Sequence, residues 1–227
     1  MPPIGVDSEL IYFNEETGIK ISEFILNAET LSPEAAKKQH NMKMVCNILR
    51  TLHNSKEKMN NNFDIYKKIE KYENLSKEAD GLFYEDYYHV KDKIYYLKNI
   101  MNELDVTYTP CHNDTIAENF IKSSEDKMYL IDWEYAGMND PMWDLAAHSL
   151  ENSFNDNEEE LFLKIYFNGK VEEKYKKRIL INKIYQDFLW SIWTNIKEAK
   201  GDDFGSYGLD RYNRAKKNLN IILGEKL

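Results

Sequence analysis

Residues 111–144 read CHNDTIAENFIKSSEDKMYLIDWEYAGMNDPMWD, and they gather the side chains of this chain whose types and spacing suit chemistry. His112, Asp114 and Asn119 form H-x-D-x-x-x-x-N. A strand-like Tyr129-Leu130-Ile131 run then delivers Asp132-Trp133-Glu134, with D-P-x-x-D ending at Asp144 behind it. Phosphoryl transfer from a nucleotide needs divalent metal to neutralise the β- and γ-phosphate oxygens. Mg²⁺ prefers hard oxygen ligands, usually one or two carboxylates with phosphate and water. Asp132, Glu134 and the Asn119 amide oxygen supply that donor set. A further carboxylate must orient the attacking hydroxyl and accept its proton, and Asp114 is placed to do so. Loop Asp and Asn residues ordinarily make turns and caps, so each motif alone says little. Their ordered combination, with a hairpin between them, points to phosphoryl transfer.

The elements that must position these groups can be read from the flanking patterns. Residues 9–25, ELIYFNEETGIKISEFI, place two apolar-rich runs around Asn14–Gly18, a β-hairpin signal. Residues 119–133 repeat the arrangement around Ser123-Ser124-Glu125-Asp126. Ser32-Pro33 reads as an N-cap with Pro at the first helical position. The helix it opens would carry Met42, Val45, Ile48, Leu49 and Leu52 on one face and end near His53-Asn54. Further helices are expected over 63–78 and 85–104, the latter with Tyr87, Val90, Ile94 and Leu97 as its apolar spacing. From Pro141 to Leu227 the pattern is mostly helical, interrupted near 155–156, 168–169 and 201–202. NDNEEE (155–160) suits a loop and an acidic first helical turn. The expected fold class is mainly α with two small β-hairpins.

Composition bounds the alternatives. The 227 residues fit one domain or slightly more, and 42% apolar content fills a sizeable core. Tyr 16, Phe 10 and Trp 4 are too many aromatics for a disordered chain. A net charge of −9 argues against general binding to nucleic acid or anionic membrane. No apolar run approaches the ~18 residues of a membrane span, so no membrane insertion is expected. The start MPPIGVDSEL has neither a basic nor an apolar leader region. Cys46 and Cys111 make no disulfide framework, which suits a reduced, cytoplasmic protein. His40, His53, His89 and His148 show no metal-ligand spacing, and Cys111 has no basic neighbour that would activate it.

Asp114 and Asn119 keep the separation of the protein-kinase catalytic loop. The stretch resembles the catalytic core of the choline/ethanolamine kinase and aminoglycoside phosphotransferase superfamily. LIDWEYAGMNDPMWDLA is especially similar to bacterial choline kinases that provide phosphocholine for surface glycans. The resemblance continues through QDFLWSIWT and GDDFGSYGLDRYNRA and reaches back through LRTLHNS to the first hairpin. It implies a protein-kinase-like C-terminal lobe and transfer of the ATP γ-phosphoryl group to the hydroxyl of choline, with Mg²⁺. In this resemblance Asp114 matches the catalytic base, and Asn119, Asp132 and Glu134 the metal ligands. His112 supports the loop and Asp144 braces it.

Choline's quaternary ammonium donates no N–H, so its favourable partners are aromatic faces with a carboxylate nearby. Gln186, Trp190 and Trp193 share one predicted helix face, while Ile184, Phe188 and Ile192 lie on another. Core packing is the ordinary role of such tryptophans; the resemblance instead makes them the cation cage. It adds Tyr207 and Tyr212 from the segment that closes the cage, with Glu151 and Tyr135 as further substrate contacts.

The resemblance divides the chain into residues 1–25, the last hairpin and hinge (Glu23, Phe24, Ile25) of a nucleotide-gripping lobe, and 26–227, the helical lobe. The family's Gly-rich phosphate loop and its Lys–Glu pair have no counterpart in the sequence. ATP turnover is therefore expected to be impaired, and the edge bearing Leu10, Ile11 and Phe13 is expected to promote self-association. Other readings are a non-catalytic module binding a cationic ligand, or a kinase for ethanolamine or an aminoglycoside. The Trp pair favours a methylated ammonium over a polyamine sugar.

Overall fold

The computed structural model describes residues 4–124 and 127–224. In chain order its elements are β1 (Leu10–Phe13), β2 (Lys20–Ser22), β3 (Glu29–Thr30), α1 (Pro33–Ala36), α2 (Gln39–His53), α3 (Ile65–Glu78) and α4 (Tyr87–Asn102). There follow β4 (Thr109–Cys111), β5 (Phe120–Ser124), β6 (Lys127–Leu130), β7 (Gly137–Asn139), α5 (Met142–Glu151), α6 (Asp156–Tyr166), α7 (Glu173–Ala199) and α8 (Tyr207–Leu223). These form two compact units: residues up to Phe63 with Thr107–Val171, and Asp64–Val106 with the residues from Glu172 onward. Helix dominates and the sheets are small, as the sequence pattern predicts.

The first unit carries all the strands. β1 pairs antiparallel with β2, Phe13 opposite Lys20. The turn between them is made by Asn14, whose Oδ1 accepts the N–H groups of Glu16 (3.0 Å) and Thr17 (2.8 Å), and closed by Gly18 at φ 70°. Leu10, Ile11 and Phe13 are 47%, 67% and 52% exposed. The second hairpin is β5 with β6, Phe120 opposite Leu130; its expected turn residues Glu125 and Asp126 lie outside the described residues. Two pairings go beyond the expected pair of hairpins: β3 on β5, and β4 on β7.

Ser32 caps as expected, its Oγ accepting the Ala35 N–H at 3.2 Å. The helix it opens stops at Ala36, however. Lys38 is extended (ψ 129°), and α2 starts afresh at Gln39. The predicted single helix is thus two. The apolar face of α2 survives intact, with Met42, Val45, Ile48, Leu49 and Leu52 all buried. Asn155 opens α6 with a capping box: its side chain accepts the N–H groups of Asn157 and Glu158, and Glu158 returns to the Asn155 N–H.

Among the described residues, every regular element of the second unit is a helix. Tyr87, Val90, Ile94 and Leu97 of α4 are buried, as their spacing predicts. α7 runs for 27 residues and buries more than one face: Ile184, Phe188 and Ile192 are inaccessible, and Gln186 and Asp187 are buried as well. α8 packs closely on α7 because residue 208 is glycine. A Cβ there would meet Thr194 Cγ2 at 2.8 Å and Cβ at 2.9 Å. Arg214 of α8 grips the fully buried Asp187 of α7 with two hydrogen bonds, Nε to Oδ2 (2.7 Å) and NH2 to Oδ1 (2.6 Å).

Candidate active site

The site begins where β4 ends. Cys111 is the last strand residue, and the chain then turns through Asn113 in the left-handed region (φ 68°). Asn suits that region, and its side chain is used in full. Oδ1 accepts from Asn139 Nδ2 (2.8 Å), while Nδ2 donates to the Tyr135 carbonyl (3.0 Å). The loop backbone hangs from Asp144 in the first turn of α5. One carboxylate oxygen accepts the His112 N–H at 2.9 Å and the other the Asn113 N–H at 2.8 Å. Thr115 Oγ1 donates to the Asp144 carbonyl (2.6 Å), and Trp143 Nε1 donates to the Asn113 carbonyl (3.1 Å). The predicted bracing aspartate therefore acts by catching two backbone donors that would otherwise be buried and unpaired.

Asp144 is itself held. His53, at the end of α2, places Nε2 3.0 Å from Asp144 Oδ2, and its Nδ1 lies 2.7 Å from the Tyr166 hydroxyl. The carboxylate can only accept, so Nε2 carries the proton and Nδ1 takes the tyrosine O–H. His53, Cys111 and Asp144 bring their polar atoms within 4.8 Å of one another, the one such group of possible metal ligands among the described residues. Both His53 nitrogens and both Asp144 oxygens are already engaged, so this is a hydrogen-bond network. His53 lies in the LRTLHNS stretch, and only the fold brings it to Asp144.

His112 links the loop to the acidic segment. Its Nε2 donates to the Ile131 carbonyl at 2.7 Å, and Nδ1 accepts the Asp114 N–H at 3.3 Å. That pattern needs a neutral ring, and burial lowers its pKa accordingly. Directly after Ile131, Asp132 adopts φ 62° and is exposed, as is Glu134. Asn119 is buried in the short 3₁₀ turn 117–119. Its Nδ2 donates to the Asp114 carbonyl (2.8 Å) and to Asp114 Oδ2 (3.3 Å). The amide oxygen of Asn119 is thereby the atom available to a metal.

Asp114 is the perturbed group. Burial raises its pKa from 3.8 to about 6, and the negative charges of Glu151, Asp132 and Glu134 add to the shift; the Asn119 hydrogen bond opposes it. The residues predicted as base and metal ligands therefore share one electrostatic environment. No three of these carboxylates converge within 4.8 Å. Hard oxygen donors with accumulated negative charge and no thiolate or imidazole among them suit Mg²⁺ better than a softer ion.

Chain comparison bears directly on this geometry. The choline/ethanolamine kinase family model matches residues 10–216. The chain belongs to the choline/ethanolamine kinase family. Protein LicA of Haemophilus influenzae is 31% identical over 222 residues. The match takes in 95% of this chain and 65% or 82% of the relative, in two forms of that protein. The LicA homolog of Metamycoplasma hominis is 33% identical, over 99% of this chain and 81% of its own length. The crystal structure of the choline kinase LicA from Streptococcus pneumoniae superposes with a TM-score of 0.81 at 40% identity, over 96% of this chain and 76% of that one. An aminoglycoside phosphotransferase at 16% identity and TM-score 0.60 shares the fold alone. The DxxxxN loop and the D-x-E segment of this family member both lie within the matched residues.

The remaining predicted residues fall in several places. Glu23, Phe24 and Ile25 follow β2 without regular secondary structure, with Phe24 82% exposed. Tyr135 and Glu151 are half-buried in the first unit, and Glu151 acts electrostatically on Asp114. In the second unit, Trp190 and Trp193 are half-buried on α7 with ring centroids 6.1 Å apart and nearly perpendicular. Gln186 shares their helix but is 1% exposed. Tyr207 opens α8 at 38% exposed. Tyr212 is buried: it stacks on Tyr84 at 4.0 Å, and its hydroxyl donates to Asp86 at 2.8 Å. Phe204, which the sequence reading left out, packs edge-on against Trp193 at 5.2 Å and lies 6.3 Å from Tyr207. Its signal is an aromatic three residues ahead of Tyr207 in GDDFGSYGLDRYNRA. No described helix is long and apolar enough to cross a membrane.

Proposed function

We propose that the chain transfers the γ-phosphoryl group of ATP to the hydroxyl of choline. The observation that carries this reading is Asp114, raised to about 6 beside Asn119 on a loop suspended from Asp144. A carboxyl with that pKa is mostly ionised at neutral pH, yet is a stronger base than an ordinary aspartate. In this reading Asp114 orients the choline hydroxyl and accepts its proton, and His112 keeps the loop joined to the acidic segment. Asn119, Asp132 and Glu134 would hold Mg²⁺, which supplies charge neutralisation on the transferred phosphate. LicA has been crystallised in complex with AMP, which supports a nucleotide donor.

The ammonium group is assigned to Trp190 and Trp193, with Phe204 and Tyr207 completing the aromatic set. Lys197 Nζ already sits 5.4 Å from the Trp193 ring centre, so that indole accepts a cation in this fold. Glu151 and Tyr135 are assigned to the substrate as well. Gln186 and Tyr212, expected as substrate contacts, are both buried and are left out of the ammonium site. Phosphocholine for surface-glycan decoration is the product role that the resemblance implies.

The test measures phosphocholine formation from ATP and choline alongside choline binding by calorimetry. Trp190→Ala is expected to weaken choline binding about five- to thirty-fold, through loss of a desolvated cation–π face. Ethanolamine phosphorylation in preference to choline would overturn the substrate assignment. Choline binding without any transfer would favour the non-catalytic module.

A further inference from the structure

Arg211 is a buried cation beside a proposed cation site, which calls for an explanation. It lies one turn after Tyr207 on α8 and is 3% exposed. Its NH1 donates to the Tyr207 hydroxyl, and its guanidinium carbon lies 5.1 Å from the centre of the Tyr207 ring. On its other side, Nε lies 3.2 Å from Oδ1 of Asp187, which is fully buried on α7. Asp187 is three residues before Trp190 on that helix. The chain of interactions therefore runs from the helix that bears both tryptophans, through a buried carboxylate and a guanidinium, to the ring that opens α8.

We propose that Arg211 is the positioning residue of the ammonium site, acting through Tyr207. Resting on the choline reading, it assigns to Arg211 no contact with the substrate. The planar fork of arginine reaches an oxygen acceptor and a carboxylate at once, which a lysine ammonium on a flexible stem does less well. Tyr207 is 38% exposed, and without this tether it would sample several rotamers. Ordering it on binding would then cost affinity. The tether removes that cost beforehand. Asp187 faces both Arg211 and Arg214 and so offsets only part of their positive charge; burial keeps the Arg211 guanidinium itself away from an incoming quaternary ammonium. The tight α7–α8 approach at Gly208 and Thr194 adjoins Tyr207 and keeps the tether short.

Arg211→Met tests this without stranding Asp187, because Arg214 still holds both carboxylate oxygens. Choline affinity is measured by calorimetry for the parent, Arg211→Met, Tyr207→Leu and the double variant, with thermal melts on each. Arg211→Met is expected to weaken binding about three- to tenfold, and Tyr207→Leu by a similar factor. The double variant should bind no worse than Tyr207→Leu alone. Losses that multiply would overturn the proposal, since Arg211 would then act independently of Tyr207. An unchanged Arg211→Met affinity would overturn it too. A parent that binds no choline, though folded, would remove the choline reading and this inference with it. A parent that binds choline while the cycle is multiplicative would remove the inference alone.

Discussion

Asp114→Asn should stabilise the folded chain while removing its proposed base. The Asp114 carboxyl sits at about 6 in the folded state against 3.8 ordinarily, a gap of about two units. At roughly 1.4 kcal/mol per unit, holding that group ionised costs the native state about 3 kcal/mol at pH 8. The sign follows from proton affinity. The folded state binds the proton more tightly than the unfolded state, so the penalty is complete above pH 6 and shrinks as pH falls. It should be roughly 1.5 kcal/mol near pH 5 and under about 0.5 kcal/mol by pH 3.8. Asparagine carries no charge to desolvate, and its Oδ1 still accepts from Asn119. Asp114→Asn should therefore exceed the parent by about 2–3 kcal/mol at pH 8, with the difference closing toward pH 4. His148, fully buried and lowered to about 4, makes both proteins less stable below pH 6.5, but cancels from the difference. Urea denaturation in chelator at pH 8, 6, 5 and 4 measures this. Equal stabilities at pH 8, or a gap that widens on acidification, would refute the strained-carboxylate argument.

Two further substitutions probe the scaffold. Asp144→Asn leaves one loop N–H or the His53 Nε2 facing a donor instead of an acceptor, and should lower stability by about 2–4 kcal/mol in a denaturation titration; a loss under about 1 kcal/mol would mean that the loop does not depend on this carboxylate. Gly208→Ala drives a methyl into Thr194 and should cost about 1–3 kcal/mol, recovered only in part by Thr194→Ser, which removes the Cγ2 clash but keeps Cβ; no recovery at all would place the strain elsewhere.

The proposed catalytic stretch was legible because the residues that suit its chemistry lie close together in sequence. The proposed base, amide and acidic pair lie within residues 112–134, and the hairpin that joins them follows from alternation and turn residues. The pairing of β4 with β7 was not legible. Each strand has three residues, one of them Pro110, and the partners are set by contacts distant in sequence rather than by pattern. The break after α1 was hidden for another reason. Lys37, Lys38 and Gln39 are good helix formers, and the interruption at Lys38 lets Asn41 Nδ2 reach the Ala35 carbonyl at 2.9 Å, a tertiary choice over propensity.

His53 marks the deeper limit. In sequence it is a lone histidine at a helix end, and such residues commonly cap carbonyls or meet solvent. Its significance arises because α2 delivers it to Asp144 and α6 delivers Tyr166 to its other nitrogen. Arg50, one turn earlier on α2, donates to the carbonyls of Ile165 (2.6 Å) and Tyr166 (3.1 Å) at the end of α6. One helix thus fixes both the tyrosine's backbone and its hydroxyl. The loop geometry that the sequence motif announces is enforced from residues that the motif does not contain. For that reason the acidic motif alone suggests a chemistry, while the positions of Asp114 and Asn119 depend on α2, α5 and α6 packing as one body around a single buried carboxylate.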